Sequence, residues 1–424
     1  MDWILRKFGV VRDSKRRIGL EKKNDEDKDE SSISIEPVSS SISPTSESES
    51  ETECEPLTVF YEDHQYALEA LTRKKTWITV KNLRFHANGV FSNVYRGTMT
   101  QPEEREIVMK KSFPPSNLRN PEMILLAAMR LSDPHNIMPL LYTYKKSHEA
   151  QICEVIILPY MPQSLDQLIG KLDMVDIKLY TWQLFNGLSF LENNNIAHRD
   201  IKPVNILVDH DKGKLLIGDF GNAKVIDEGN ASTPYQVTRF YRAPELLYGV
   251  REYNWMVDVW SGGCVVGEML KGRILFPGAN TEHQLSLIHE SFGPPSDVDF
   301  IDMGVVEVTE EMKKSKAKKS RHLKKHMPTA PKALLAFVRE VLQYAPLQRI
   351  YGESVLSHSI FEELFEKDRV RFNGQLTASL LIRQSGAATR FYNYKKVIAS
   401  NRGKQSPSIP TPARTPEKTS FSVM

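Results

Sequence analysis

His198, Arg199 and Asp200 open the run His-Arg-Asp-Ile-Lys-Pro-Val-Asn, which ends at Asn205, and Asp219-Phe220-Gly221 begins fourteen residues beyond it. These residue types suit phosphoryl transfer, because a phosphoryl group in flight needs an in-line hydroxyl and neutralisation of phosphate charge but little covalent help. Asp200 is placed to orient a hydroxyl and accept its proton. Asn205 and Asp219 offer the hard oxygen ligands that Mg²⁺ takes, and Lys202 adds a cation near the transferring phosphate. A lone His-Arg-Asp is usually a solvated turn; both runs at this spacing point to a nucleotide site.

Ligands from separate loops need a framework to bring them together. From Thr76 the chain shows apolar runs punctuated by turn residues, Trp77 to Phe85, Asn93 to Thr98 and Arg105 to Lys111, which predicts a strand meander. A helical stretch is expected around Pro121 to Leu131, and a strand pair near Leu140 to Tyr144 and Ile152 to Leu158. Pro159 to Pro162 reads as a connector between two lobes. Beyond it, Tyr180, Leu184, Leu188 and Leu191 fall at helical spacing, Val257 to Leu270 reads as a buried helix, and Lys332 to Gln343 is amphipathic. The second lobe is therefore expected to be mainly helical.

Within the meander, Ile107-Val108-Met109-Lys110 resembles the strand whose lysine grips the α- and β-phosphates in protein kinases. Lys110 is the expected phosphate clamp, with Lys111 as the surface alternative. Glu122 is the one carboxylate of the following helical stretch, and it is expected either to aim Lys110 or to be a solvated helix charge. The phosphate-covering pattern of that family falls on Ala87 to Val94, where only Gly89 of three glycines is kept. Glycine matters there because it lets backbone N–H groups approach phosphate, so affinity for the nucleotide is expected to be weakened. Alone, this loop reads as an ordinary hairpin turn. Ala243-Pro244-Glu245 resembles the end of the family's activation segment, which would make Asp219 to Glu245 the substrate-docking loop. Glu245 is expected to pair with Arg349, and Asp258 to be a buried acceptor for the catalytic-loop backbone.

Lys202, two residues after Asp200, is the serine/threonine form of this loop, and Arg239 to Glu245 looks like the proline-directed CMGC branch. Within that branch the chain is most similar to the glycogen synthase kinase-3 family, over about Trp77 to Leu381. The resemblance rests on His198 to Asn205, Gly221 to Lys224, Tyr235 to Arg239, Phe276-Pro277-Gly278 and His358 to Leu364. It implies an α+β, bilobal fold, with a small antiparallel β-sheet lobe carrying one main helix and a larger, mainly helical lobe. It also implies an ATP- and Mg²⁺-dependent protein serine/threonine kinase. The clamp would be Lys110 and Glu122, the base Asp200 with Lys202, and the metal ligands Asn205 and Asp219. The nucleotide would lie against Gly89, Val94, Lys110, Leu158 as gatekeeper, Tyr160, Met161 and Asn205. Tyr235 matches the family's activation-loop phosphotyrosine, against the alternative of a plain packing tyrosine.

That family also reads a phosphate already present on its substrate, with three cations. Arg199 and Lys224 match two of them, but the third is Pro121, so a bidentate guanidinium is lost; Arg119 is the neighbouring candidate. The acidic residue that opens the hinge in relatives is Pro159. The segment after Gly293, where scaffold partners dock in relatives, is rewritten with a Lys-rich insert near residues 313–326.

The expected organisation is a disordered Ser/Glu-rich tail over 1–75, an N-lobe over 76–158, hinge and C-lobe over 159–385, and a Pro/Ser/Thr-rich tail over 386–424. Residues 11–56 contain no aromatic residue and are too polar to offset their ordering entropy. The tail carries Thr411, Thr415 and Thr419 four apart, and modification or plain disorder are both open there. A hydrophobic content of 40% over 424 residues supports one substantial two-lobed globule. The three cysteines lack metal or disulfide spacing, which suits a reducing location, cytoplasmic and also nuclear. No stretch is apolar enough for a signal or a membrane span, and Asp2 is not a myristoylation site. Expected partners are protein substrates with Ser/Thr sites, primed or not, and scaffold proteins, without a membrane. Lys313 to Lys325 lacks interleaved aromatics, so nucleic acid is not expected. The competing reading is a kinase-like scaffold whose degraded glycine loop leaves little turnover.

Overall fold

The computed structural model describes residues 61–88, 92–114, 120–129, 136–148, 151–226, 238–313 and 323–381. Gly89, Arg119, Tyr235, the tail threonines and most of the Lys-rich insert lie outside them.

Six antiparallel strands form the first lobe: β1 (Tyr61–Glu69), β2 (Lys75–Asn88), β3 (Ser92–Gln101), β4 (Arg105–Ser112), β5 (Tyr142–His148) and β6 (Gln151–Pro159). They close into a barrel in the order β1-β2-β3-β4-β6-β5, because β1 pairs with β2 and also places Leu68 and Glu69 opposite Thr143 and Tyr142 of β5. The expected start of this lobe at residue 76 is thereby corrected. β1 is a strand inside what the sequence presents as tail. Its residues are mostly polar and only Ala67 is fully buried, so it is held by backbone pairing and carries no hydropathy signal.

Alternation along β6 explains its unbroken apolar run. Val155 and Ile157 point into the barrel beside Val80, Ile107 and Met109, whereas Ile156 and Leu158 join the larger core below. Helix α1 (Pro121–Met129) packs on that larger core, burying Met123, Leu125, Leu126 and Met129.

The second lobe is built on α2 (Met174–Asn193), whose start is capped by Asp173 accepting from the Asp176 N–H at 2.8 Å. Short strands follow: β7 (Gln163–Ser164), before α2, then β8 (Ile196–Ala197), β9 (Ile206–Asp209), β10 (Lys214–Ile217) and β11 (Lys224–Val225). β9 pairs with β10 and β7, and β8 pairs with β11. The remaining helices are α3 (Pro244–Leu247), α4 (Met256–Lys271), α5 (Thr281–Phe292), α6 (Asp297–Asp302), α7 (Glu310–Lys313), α8 (Lys332–Val341) and α9 (Gly352–Leu356).

Helix α4 is buried along its whole length, and Gly263 shows why it can be. A Cβ there would stand 2.7 Å from the side chains of Val341 and Leu342, so glycine permits α4 and α8 to touch. The helix ends at Gly272, whose φ of 77° is the left-handed cap that glycine adopts freely. Among the described residues no helix is long and apolar enough to cross a membrane.

Candidate active site

Lys110 sits in the middle of β4, opposite Val94 of β3 and Ile156 of β6, so two flanking strands fix where its stem leaves the sheet. Its amine lies 2.6 Å from Glu122 Oε2 on α1 and 2.9 Å from Asp219 Oδ1. Burial alone would draw that amine down, but the two carboxylates beside it hold it well above the ordinary lysine range. Asp219 is likewise pushed up by burial and pulled further down by Lys110, so its carboxyl stays below the usual range. Lys111, the alternative, instead stands with its amine 5.0 Å from the Tyr95 ring centroid. Lys110, and not Lys111, is therefore the lysine that stands beside Glu122 and Asp219.

Glu122 does more than aim the lysine. Its second oxygen accepts the Phe220 N–H at 3.2 Å, which ties α1 to the Asp-Phe-Gly turn. Phe220 is fully buried, and its ring meets that of His198 edge-on with centroids 4.8 Å apart. His198 Nε2 in turn lies 2.8 Å from the Gly218 carbonyl, which requires the Nε2–H form of the ring. The Gly218 N–H donates to the Asn205 carbonyl at 2.9 Å. The two metal-ligand loops are thus clasped through backbone on both sides of Gly218.

The catalytic loop hangs from Asp258 at the start of α4. Its two carboxylate oxygens accept the His198 N–H at 2.6 Å and the Arg199 N–H at 2.8 Å, and Arg199 adopts a left-handed φ of 68°. Beyond this bend Asp200 Oδ2 receives the Lys202 amine at 3.0 Å and Asn205 Nδ2 at 2.9 Å. Burial raises the Asp200 carboxyl above the ordinary aspartate value, with Lys202, His198 and Asn205 opposing it. Lys202 also reaches Thr238 Oγ1 at 3.3 Å, where the described chain resumes after residue 226.

The donor set fits a divalent cation. Asn205 spends both amide hydrogens on Asp200, on the backbone carbonyl and the carboxylate, so Oδ1 is the atom of that side chain that would serve as a metal ligand. Asp219 adds a carboxylate from the facing loop. Among the described residues no group of three or more His, Cys, Asp or Glu is assembled for a metal; Asn205 and Asp219 would hold the ion together with oxygens of the nucleotide's phosphates.

At the hinge, Leu158 is buried below the barrel and Met161 packs on the larger core. Tyr160 donates its backbone N–H to the Glu106 carbonyl at 3.2 Å, and its hydroxyl accepts from Arg96 Nη1 at 2.9 Å. The Arg96 guanidinium also lies 3.7 Å from the Tyr160 ring centroid and bridges to Glu106 at 2.7 Å. Pro159 ends β6 opposite Ile107, a strand-end position that tolerates a missing N–H and keeps the carbonyl. Val94 pairs with Ala87, and Asn93 with Asn88, at the end of the β2–β3 ladder.

Pairing of β8 with β11 sets Lys224 opposite Ala197, two residues before Arg199, so both candidate phosphate-reading cations stand on adjoining segments. Arg199 is anchored by Nε to the Asn222 carbonyl at 2.7 Å. Pro121 is exposed at the first turn of α1. Glu245 and Arg349 form the expected pair at 2.7 and 2.8 Å, fully buried. Asn120 and Glu154, which the sequence reading passed over, also stand in this frame. An asparagine directly before a proline that opens a helix was the available signal for the first.

A protein kinase domain model matches residues 86–361, more than half of the chain. The chain is 33% identical over 287 residues to the yeast (Saccharomyces cerevisiae) serine/threonine-protein kinase RIM11/MSD1, covering 65% of this chain and 75% of that one. It is 40% identical over 228 residues to a Caenorhabditis elegans chain named as the serine/threonine-protein kinase gskl-1, covering 51% of this chain and 62% of that one. The chain therefore spans a little under two thirds of the nematode relative. It belongs to the protein kinase family. Both relatives are named as serine/threonine kinases, and a protein kinase domain in general uses ATP with a divalent metal.

Proposed function

We propose that the protein transfers the γ-phosphoryl group of ATP, taken with Mg²⁺, to serine and threonine hydroxyls of protein substrates. The observation that carries this reading is the convergence of Lys110, Glu122 and Asp219 through contacts of 2.6 and 2.9 Å, clasped by backbone to the Asp200–Asn205 loop. Bound magnesium supplies neutralisation of phosphate charge at Asn205 and Asp219. Asp200 receives the acceptor hydroxyl and holds its proton, in an orientation fixed by Lys202 and Asn205. Lys110 holds phosphate oxygens, and Glu122 keeps its amine charged and aimed.

Arg199 and Lys224 support recognition of substrates that already carry a phosphate, and Pro121 in place of a third cation supports weak dependence on it. The buried free thiols of Cys153 and Cys264 support a reducing location, cytoplasmic or nuclear. Transfer of labelled γ-phosphate to a general protein acceptor tests the assignment. Wild type should exceed Asp200→Ala and Asp219→Asn by at least ~100-fold, the scale of removing a charge-positioning group from such a site. Equal background in all three proteins would replace it with the scaffold reading.

A further inference from the structure

A nine-residue helix such as α1 is too short to hold its own conformation in water, so something outside it must fix where Glu122 points. Its inner face is apolar and packs on the core, which resists displacement outward but specifies poorly any sliding or rotation. The N-terminal end is different, because a cluster of buried polar groups meets there.

Asn120 is the centre of that cluster and is almost fully buried. Its side-chain oxygen accepts from the backbone N–H groups of Glu122 at 2.9 Å and Met123 at 3.3 Å, an N-cap in the geometry that asparagine favours. Its amide nitrogen donates to Ser112 Oγ at 3.1 Å, and its backbone N–H donates to Glu154 Oε2 at 2.7 Å. Glu154 is 1% exposed, in an otherwise apolar strand, and its other oxygen takes the amine of Lys145.

The strand register explains how these groups come together. Glu154 of β6 stands directly opposite Ser112 of β4 on one side and Lys145 of β5 on the other, so three adjacent strands present one polar row to Asn120. A carboxylate buried in an apolar strand is costly unless it is paired, and here each oxygen has a charged or backbone donor. Two residues before Ser112 on the same strand is Lys110, and two residues after Asn120 is Glu122. Sheet and helix are therefore joined one turn away from the ion pair that the chemistry uses.

We propose that Asn120 and Glu154 are positioning residues, a latch that fixes α1 to the barrel so that Glu122 faces both Lys110 and the Phe220 N–H. The latch rests on the reading of Lys110 and Glu122 as the phosphate clamp. It makes the orientation of the helix a property of the barrel itself, with Lys145 supplying the compensating charge from the half-exposed side.

The test pairs steady-state phosphate transfer at varied ATP with amide hydrogen exchange on the full chain. Asn120→Ala should lower kcat/KM for ATP about fivefold to tenfold, the effect of a lost helix cap felt in the transition state. Placed in a Glu122→Gln background, the same substitution should add nothing, because the latch acts through Glu122. Asn120→Ser, which keeps a capping oxygen, should restore most of the loss. Exchange at Glu122, Met123 and Phe220 should quicken in Asn120→Ala relative to wild type. Loss of activity that multiplies undiminished in the Glu122→Gln background, or unchanged exchange at those three amides, overturns the latch. Should Asn120→Ala not fold, Lys145→Met strips the charge partner from outside the core, and unchanged KM for ATP and unchanged exchange in it overturn the proposal equally. Wild type no more active than Asp219→Asn would instead sink the kinase reading, and hydrogen exchange would still judge the latch.

Discussion

Removing the carboxylate of Glu245 should unfold this protein more easily than almost any other single change outside the hydrophobic core. Arg349 is fully buried, and its five N–H donors are all spent: Nε on the Gln343 carbonyl, Nη1 on Glu245 Oε1 and the Met256 carbonyl, Nη2 on Glu245 Oε2 and the Tyr344 carbonyl. Glu245→Ala deletes two of these five bonds and the carboxylate paired with the guanidinium among the described residues. Breaking one partner of such a pair costs about 3–5 kcal/mol, because a buried charge is left uncompensated. With about 2–4 °C of melting temperature per kcal/mol in a domain of this size, the shift should be roughly 6–20 °C. Arg349→Met should be at least as damaging, since it also strands three carbonyls at about 1–3 kcal/mol each when unpaired. Glu245→Gln should fall between wild type and Glu245→Ala, because one acceptor survives but an amide N–H₂ now faces Nη2. Circular-dichroism melts and urea midpoints with an unchanged slope would measure the series. A loss below ~1 kcal/mol in Glu245→Ala would refute the claim that this pair ties α3, α4 and the segment after α8 together.

Two further outcomes follow from other sites. Burial holds the His289 imidazole neutral, with its pKa lowered to about 4, beside the Tyr248 hydroxyl at 3.0 Å. A depressed folded-state value gives stability that is present above the unfolded value of about 6.5 and is lost as pH falls toward 4, amounting to about 3 kcal/mol. His289→Asn should remove that part of the acid loss between pH 6.5 and 4 in urea titrations, and parallel pH profiles for variant and wild type would rule it out. At the substrate end, peptides carrying a phosphate four residues beyond the target should be preferred less than ~10-fold by wild type. Pro121→Arg should raise that preference about tenfold or more, the worth of a charged hydrogen bond of about 1.5–3 kcal/mol. A ratio that Pro121→Arg leaves untouched in peptide assays would show that Arg199 and Lys224 do not read phosphate.

The chemical residues were legible in the sequence because their types and spacing are dictated by the reaction. Asp200, Asn205, Asp219 and Lys110 were each found from a local pattern, and the lobes from hydrophobic periodicity, with strand and helix limits shifted by only a few residues at most ends. What stayed hidden was whatever is held by backbone pairing or by long-range polar contact. β1 offers one buried alanine and no apolar face, so apart from Tyr61 and Tyr66 little in Tyr61–Glu69 sets it off from the polar tail before it. Glu154 reads as an isolated charge in a strand until β4 and β5 are set on either side of it. Asp258 and Arg349 were accessible only because the family resemblance had already assigned them partners.

On the proposed reading, the glycine-poor loop and the acid set serve different halves of the reaction. Ala87 belongs to β2, which pairs with β3, and β3 is hooked by Arg96 to the Tyr160 hydroxyl at the hinge and to the Glu106 carboxylate of β4. Asp200, Asn205 and Asp219 hang instead from α4 and from each other, through Asp258 and the two hydrogen bonds at Gly218. Glycine loss in the hairpin should therefore appear as weaker hold on the nucleotide, while the groups that meet the acceptor hydroxyl and the metal keep their spacing. Lys110 is the one member shared by both halves, since β4 pairs with β3 while its amine reaches Asp219. That shared position is why the orientation of Glu122, and whatever fixes α1, matters more in this chain than in one with a full set of loop glycines.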